Sequence, residues 1–140
     1  MFILKKVYCR IFQKVFRIAL PLLPYREPEI LESIELIPEV VVKNGCKKPI
    51  IVTDKGIVNL GLIDSLVEAL KKSEIPFAIY DKTVPNPTTD NVAKAYDLYK
   101  KENCDCLIAF GGGSSMDCAK ALGVQIVYPK KTLGQLKGIL

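Results

Sequence analysis

Residues 106–122 read CLIAFGGGSSMDCAKAL. An apolar run meets three consecutive glycines, and a run of helix formers follows. The first part has the length and composition of a buried strand, so residues 105–110 are expected to be one. The last part predicts a helix from about Ser115 to Gly123. The chain has nine glycines, and three stand side by side here. Such a run gives up side chains and costs backbone entropy. Bare backbone is therefore needed at this strand end, either for a tight turn or for a ligand.

The pattern repeats upstream. PIIVT (49–53) and PFAIYD (76–81) read as two further short strands. A turn and helix follow the first, with Leu62, Ile63, Leu66, Val67 and Leu70 on one face. TVPNPTTD (83–90) is a loop feeding a helix, with Thr89 or Asp90 as the expected N-cap. Val92, Ala95, Tyr96 and Tyr99 share a face of that helix. Residues 28–45 read as a helix that ends at Asn44-Gly45, interrupted at Pro38, where a second segment can start. QIVYP (125–129) reads as the start of another short element. Strand and helix alternate with short loops. The fold class is therefore α/β, a Rossmann-like open parallel sheet with flanking helices.

Composition narrows the chemistry. The 140 residues carry a net charge of +5, yet residues 1–26 hold six cations and no acid. The remainder has 14 cations against 15 acids, so it is not a basic nucleic-acid-binding domain. No apolar run reaches the length of a spanning helix. In the leader, Phe12, Val15, Phe16 and Ala19 fall at helical spacing, and Pro21 and Pro24 end the stretch. It reads as an arm packed on the rest of the protein or on a second subunit. Membrane association is not expected, and a signal peptide is disfavoured because cations interleave with the apolar residues. Five cysteines without framework spacing imply reduced, mostly buried thiols and a cytoplasmic protein. There is no histidine. That removes the commonest general base and the commonest transition-metal ligand.

Each candidate site residue has two readings. The helix N-terminus after Gly111, Gly112 and Gly113 offers backbone amides to an anion, and Ser114 and Ser115 offer hydroxyls. The alternative is a plain strand-to-helix turn, capped by Ser114 with Asp117 completing a capping-box-like pair. The pattern is neither a P-loop nor G-x-G-x-x-G. Asp54, at the end of the first strand, suits ribose hydroxyls and would repel a 2′-phosphate. It also suits a turn before Lys55-Gly56. Asn86 can present its amide from the rigid PNPT loop, or simply belong to a turn.

Taken in order and spacing, IVTDKG, YDKTVPNPTTDNV and IAFGGGSSMDCAKA resemble the N-terminal domain of the iron-containing, group III alcohol dehydrogenases, with butanol-dehydrogenase-like members nearest. The G-G-G-S-x-x-D-x-x-K stretch is the most diagnostic part. The resemblance runs from about residue 28 to the end and leaves residues 1–27 as a basic extension without a motif. It implies that Gly112, Gly113 and Ser114 hold the pyrophosphate of NAD(P). It implies that Asp117 lies beside the cofactor, that Asp54 meets the adenosine ribose and favours NAD(H) over NADP(H), and that Asn86 and Pro87 border the adenosine half. Lys120 matches the motif's lysine, with no role assigned.

The family's reaction is hydride transfer between a small primary alcohol, or its aldehyde, and a nicotinamide. Its divalent metal, iron or zinc, is held by one aspartate and three histidines of a helical C-terminal domain. A T-T-x-G-T-x-S-E motif is expected beyond residue 140. Residues 28–140 are thus expected to be an incomplete NAD(P)-binding domain, inactive alone, of an enzyme that forms homo-oligomers when full length. The alternative is a free-standing nucleotide-binding module without catalysis.

Overall fold

The three apolar runs become three parallel strands in the computed structural model, which describes residues 2–19 and 28–136. They are β1 (Pro49–Val52), β2 (Ala78–Tyr80) and β3 (Cys106–Ala109), in the sheet order β2-β1-β3. The register sets Ile51 opposite Ile79 on one side and Ile108 on the other. β1 is the central strand, and all four of its residues are buried. A strand covered on both faces has no polar side to alternate with, which is why PIIV is apolar throughout.

The side chains of β1 divide the core. Ile50 and Val52 pack with Val92 and Ala95 of α5 (Thr89–Lys101) and Cys118, Ala119 and Leu122 of α6 (Gly113–Val127). Ile51 packs with Val41 of α2 (Ile37–Lys43) and Leu66 and Leu70 of α4 (Asp64–Lys72). Period two along one strand thus builds two half-cores, one under each helix layer. Leu66 and Leu70 are fully buried, and truncating either to alanine costs about 2–5 kcal/mol.

Each strand is delivered by the same device. The helix before it ends on a left-handed residue: Gly45 (φ 73°) before β1, Glu74 (φ 55°) before β2 and Asn103 (φ 53°) before β3. In each case the next amide reaches back across the helix end, from Cys46 to the Val41 carbonyl, Ile75 to Leu70 and Cys104 to Tyr99, all at 3.0 Å. These are Schellman closures, and they turn the chain sharply from helix layer to sheet.

Several expected boundaries move. Pro38 starts a segment rather than interrupting one: it sits in the first turn of α2, where its missing N–H costs nothing. Residues 28–33 form no helix, and a 3-10 turn (Ile34–Leu36) leads into α2. The stretch after β1 divides into α3 (Lys55–Asn59) and α4, so Leu62 lies in the turn between them and is 53% exposed. The N-cap of α5 is Thr88, with extended backbone and its hydroxyl accepting from the Asn91 amide; Thr89 and Asp90 lie inside the first turn. α6 begins at Gly113 and runs through Gly123 to Val127, absorbing most of QIVYP. A short 3-10 turn (Leu133–Leu136) follows.

The chain divides into two compact units, Met1–Ile30 and Leu31–Leu140. In the first, α1 (Phe2–Ala19) stacks the rings of Tyr8, Phe12 and Phe16 along one side, with centroids 6.4 and 6.1 Å apart. Pro21 and Pro24 lie outside the described residues. Among the described residues no helix is long and apolar enough to cross a membrane. All five cysteines are free, but only Cys104 and Cys118 are buried; Cys46 and Cys106 are half-buried and Cys9 is exposed. The expectation of mostly buried thiols is therefore corrected: the helix closure and the edge strand that carry Cys46 and Cys106 leave these residues only half-buried.

Candidate functional site

A cleft of about 350 Å³ opens beyond the carboxyl ends of all three strands. Asp54, Lys55 and Gly56 line it from the end of β1, Thr83, Val84 and Pro85 from the end of β2, and Ser114 from the end of β3. This is the position at which open parallel sheets take ligands. Two hydrogen bonds hold the strand ends together there, from the Thr53 amide to the Tyr80 carbonyl (2.9 Å) and from the Phe110 amide to the Val52 carbonyl (3.0 Å). The β2 loop is anchored by Asn91, whose amide nitrogen donates to the Lys82 carbonyl (2.9 Å).

The three glycines have different duties. Gly111 has φ 131°, and a Cβ there would stand 2.9 Å from Ser115 Oγ. It is required by the fold itself. Gly112 is the N-cap of α6, with φ −83° and ψ −170°, a conformation that any residue adopts. A Cβ on Gly112 or Gly113 would meet nothing within 4 Å. Among the described residues, no packing contact asks for glycine at these two positions. The backbone of these two glycines faces open space.

The start of α6 is open as well. Gly112 has no side chain to cap the helix, and no acid stands in the first turn. The first amides of a helix have no intrahelical acceptor, and the helix dipole adds positive potential there. Ser114 is inside the helix, not at its cap, so the capping reading with Asp117 does not hold. Ser115 is 1% exposed, and its hydroxyl has no hydrogen-bond partner among the described residues. Asp117 is exposed one turn further along. A pyrophosphate fits these residues: it would accept from amides that the protein leaves free, in space that a Cβ would fill.

Asp54 is built differently. It is the N-cap of α3, and its Oδ1 accepts from the Ile57 amide at 3.0 Å. The turn reading is therefore realised, while the half-buried carboxylate also lines the cleft. Asn86 and Pro87 lie beyond the stretch that lines it; Asn86 is exposed with φ 54°. The β2 loop presents Thr83, Val84 and Pro85 instead. These were missed in the sequence, although their place directly after a parallel strand was the available signal. Cys118, on α6, has its thiol pushed up by burial, so it is a packing group rather than a nucleophile.

Size does not pick the site. A larger cleft, about 760 Å³, lies between α5 and the segment from Gln125 to Gly134. It is lined by Thr89 and Asp90 in the first turn of α5, whose start the Thr88 hydroxyl caps, and by no residue of the glycine turn.

The sequence model described as iron-containing alcohol dehydrogenase matches residues 31–138. A choline dehydrogenase of Bacillus subtilis is 44% identical over 95 residues, 68% of this chain and 24% of that protein. An NAD-dependent methanol dehydrogenase of Bacillus methanolicus is 40% identical over 80 residues, 57% of this chain and 21% of that protein. The crystal structure of an NADH-dependent butanol dehydrogenase A from Thermotoga maritima superposes with a TM-score of 0.69 at 28% identity, over 79% of this chain and 29% of that one. The chain thus spans about a quarter of the length of the relatives it matches. The match covers most of the strands, helices and glycine turn described above, and on it the chain belongs to the iron-containing alcohol dehydrogenase family.

Proposed function

We propose that residues 28–140 are the NAD(P)-binding part of a metal-dependent alcohol dehydrogenase that interconverts a small primary alcohol and its aldehyde, with residues 1–27 an added extension. One observation carries the cofactor reading: Gly112 and Gly113 are glycine without internal need, at an uncapped helix start beyond a parallel strand. The named relatives that depend on NAD or NADH support the same choice of cofactor.

When bound, the nicotinamide accepts or gives the hydride. The chain's own residues bind and orient it. The amides of Gly113 and Ser114 hold the pyrophosphate, with Gly112 leaving room and the Ser114 hydroxyl beside it. Asp117 borders the cofactor one turn along α6. Asp54 accepts from ribose hydroxyls through the oxygen not used by Ile57, and this favours NAD(H) over NADP(H). Asn86 and Pro87 border the adenosine half from the outer part of their loop.

The chain has no histidine, so its residues do not fit the one-aspartate, three-histidine metal site that the resemblance implies. No chemical step is assigned to it. On this reading the 140 residues bind cofactor without catalysing, and the full-length enzyme is a cytoplasmic homo-oligomer. The relatives named above differ in substrate, so the alcohol is assigned only as small and primary.

Fluorescence titration of the full-length protein tests this reading. NADH should bind, ADP-ribose should compete for it, and NADPH should bind more weakly. A folded protein that binds neither NADH nor ADP-ribose would overturn it.

A further inference from the structure

At the opposite end of the sheet from the glycine turn, three soft or anionic donors converge. Cys46 follows the Schellman closure of α2, Cys106 opens β3, and Asp105 precedes it. The two sulfurs and a carboxylate oxygen all lie within 4.8 Å of one another. Their backbones are fixed independently. The Cys46 amide is tied to the Val41 carbonyl, and Cys106 pairs with Pro49 in the β1 ladder. Asp105 is clamped: its Oδ2 accepts from the Lys47 amide (2.7 Å) and its Oδ1 from the Lys48 amide (2.9 Å). Lys48, in the same loop, directs its ammonium to Glu102 at 3.0 Å.

Structural duty explains the positions but not the residue types. A helix closure of this kind wants an apolar side chain at Cys46, and a strand wants a β-branched one at Cys106. Valine would serve at both. The thiols are half-buried and border a cleft of about 240 Å³ whose other walls include Ile37, Val41 and Ile108. The group is thus walled by apolar side chains, yet open enough to admit an ion.

We propose that Cys46, Asp105 and Cys106 form a binding site for a thiophilic divalent cation of the Zn2+ and Cd2+ class. Thiolates select such ions over Mg2+ and Ca2+. Zinc–sulfur bonds of about 2.3 Å in a tetrahedron need donors about 3.5–4 Å apart. The donors lie within 4.8 Å of one another, so the two thiols must draw in toward that spacing while the clamped Asp105 carboxylate stays in place. Binding releases the thiol protons to solvent as the two sulfurs ligate the ion. Three protein ligands leave the fourth position to water. The sulfurs and carboxylate stand at the amino ends of the strands, so this site is separate from the cleft beyond Asp54 and Ser114.

The test is titration of the metal-free 140-residue chain with Cd2+, in a reductant without thiols. The readouts are the ultraviolet thiolate-to-metal band and stoichiometry by native mass spectrometry. One Cd2+ should bind per chain, and Zn2+ should compete. Cys46→Ser and Cys106→Ser should each weaken binding about tenfold or more and diminish the band. Asp105→Asn should weaken binding while leaving the band's shape. Cys9→Ser should change nothing. If Cys106→Ser perturbs the fold by circular dichroism, Cys46→Ser, in a surface closure, decides. A parent chain that takes up no Cd2+, or a band of full strength in Cys46→Ser, would overturn the proposal.

Discussion

Two strand-to-helix junctions in this molecule solve the same problem in opposite ways. At the end of β1, Asp54 caps α3 with its own carboxylate, which accepts from Ile57 at 3.0 Å. At the end of β3, Gly112 caps α6 with no side chain to offer, and the first amides of the helix are left free. One junction closes itself and the other stays open toward solvent. The self-closing one starts a helix of 5 residues, and the open one starts a helix of 15. The lesson is that a helix end can be left unsatisfied where a ligand is to complete it.

Substitutions at the two junctions break the comparison in graded steps. The largest effect is expected at Gly111, where φ 131° and the 2.9 Å approach to Ser115 Oγ forbid a side chain. Gly111→Val should lower unfolding stability by about 3 kcal/mol in a denaturant melt. A melt unchanged from the parent would contradict the assigned strain. Next is Gly112→Val. A Cβ there meets no described residue within 4 Å, so the melt should hold, while NADH affinity in the full-length protein falls about tenfold or more, roughly 1.4 kcal/mol. Equal loss of stability and affinity would make the loop a mere turn. The smallest steps lie at Asp54. Asp54→Ala removes a cap and should cost about 1 kcal/mol of stability, whereas Asp54→Gly should cost only a few tenths. Asp54→Gly therefore isolates the ribose role. It should raise NADPH use relative to NADH, and an unchanged ratio would leave Asp54 only its cap.

The order of elements was legible because each buried run is bracketed by turn residues. PIIV, AIY and CLIA are all parallel strands, and the helices between them carry the expected apolar faces. Boundaries were less legible, for local reasons. The start of α6 is marked by no capping side chain, so the serines drew the expected boundary two residues late. Gly123 looked like a helix stop. A Cβ there would lie 3.4 Å from Leu107 Cδ1, and glycine instead lets α6 pack closely on β3. Three consecutive capping types, Thr88, Thr89 and Asp90, hid which one caps α5.

The candidate site was legible where residues sit next to a strand end, as at Asp54 and Ser114. It was not legible on the β2 loop, where Thr83, Val84 and Pro85 reach the cleft and the more polar Asn86 does not line it. The cluster had no sequence signal, because Cys46 is brought to Asp105 and Cys106 only by the pairing of β1 with β3 and the Asp105 bonds to the Lys47 and Lys48 amides.

The open helix start is tested most directly by following backbone amides of the isotopically labelled chain by NMR as ADP-ribose is added. The account predicts that the amides of Gly113 and Ser114 shift and saturate together with those of Thr83 and Val84. Saturation that leaves these four unmoved, or that moves only residues around Gln125 and Lys131 in the larger cleft, would contradict it.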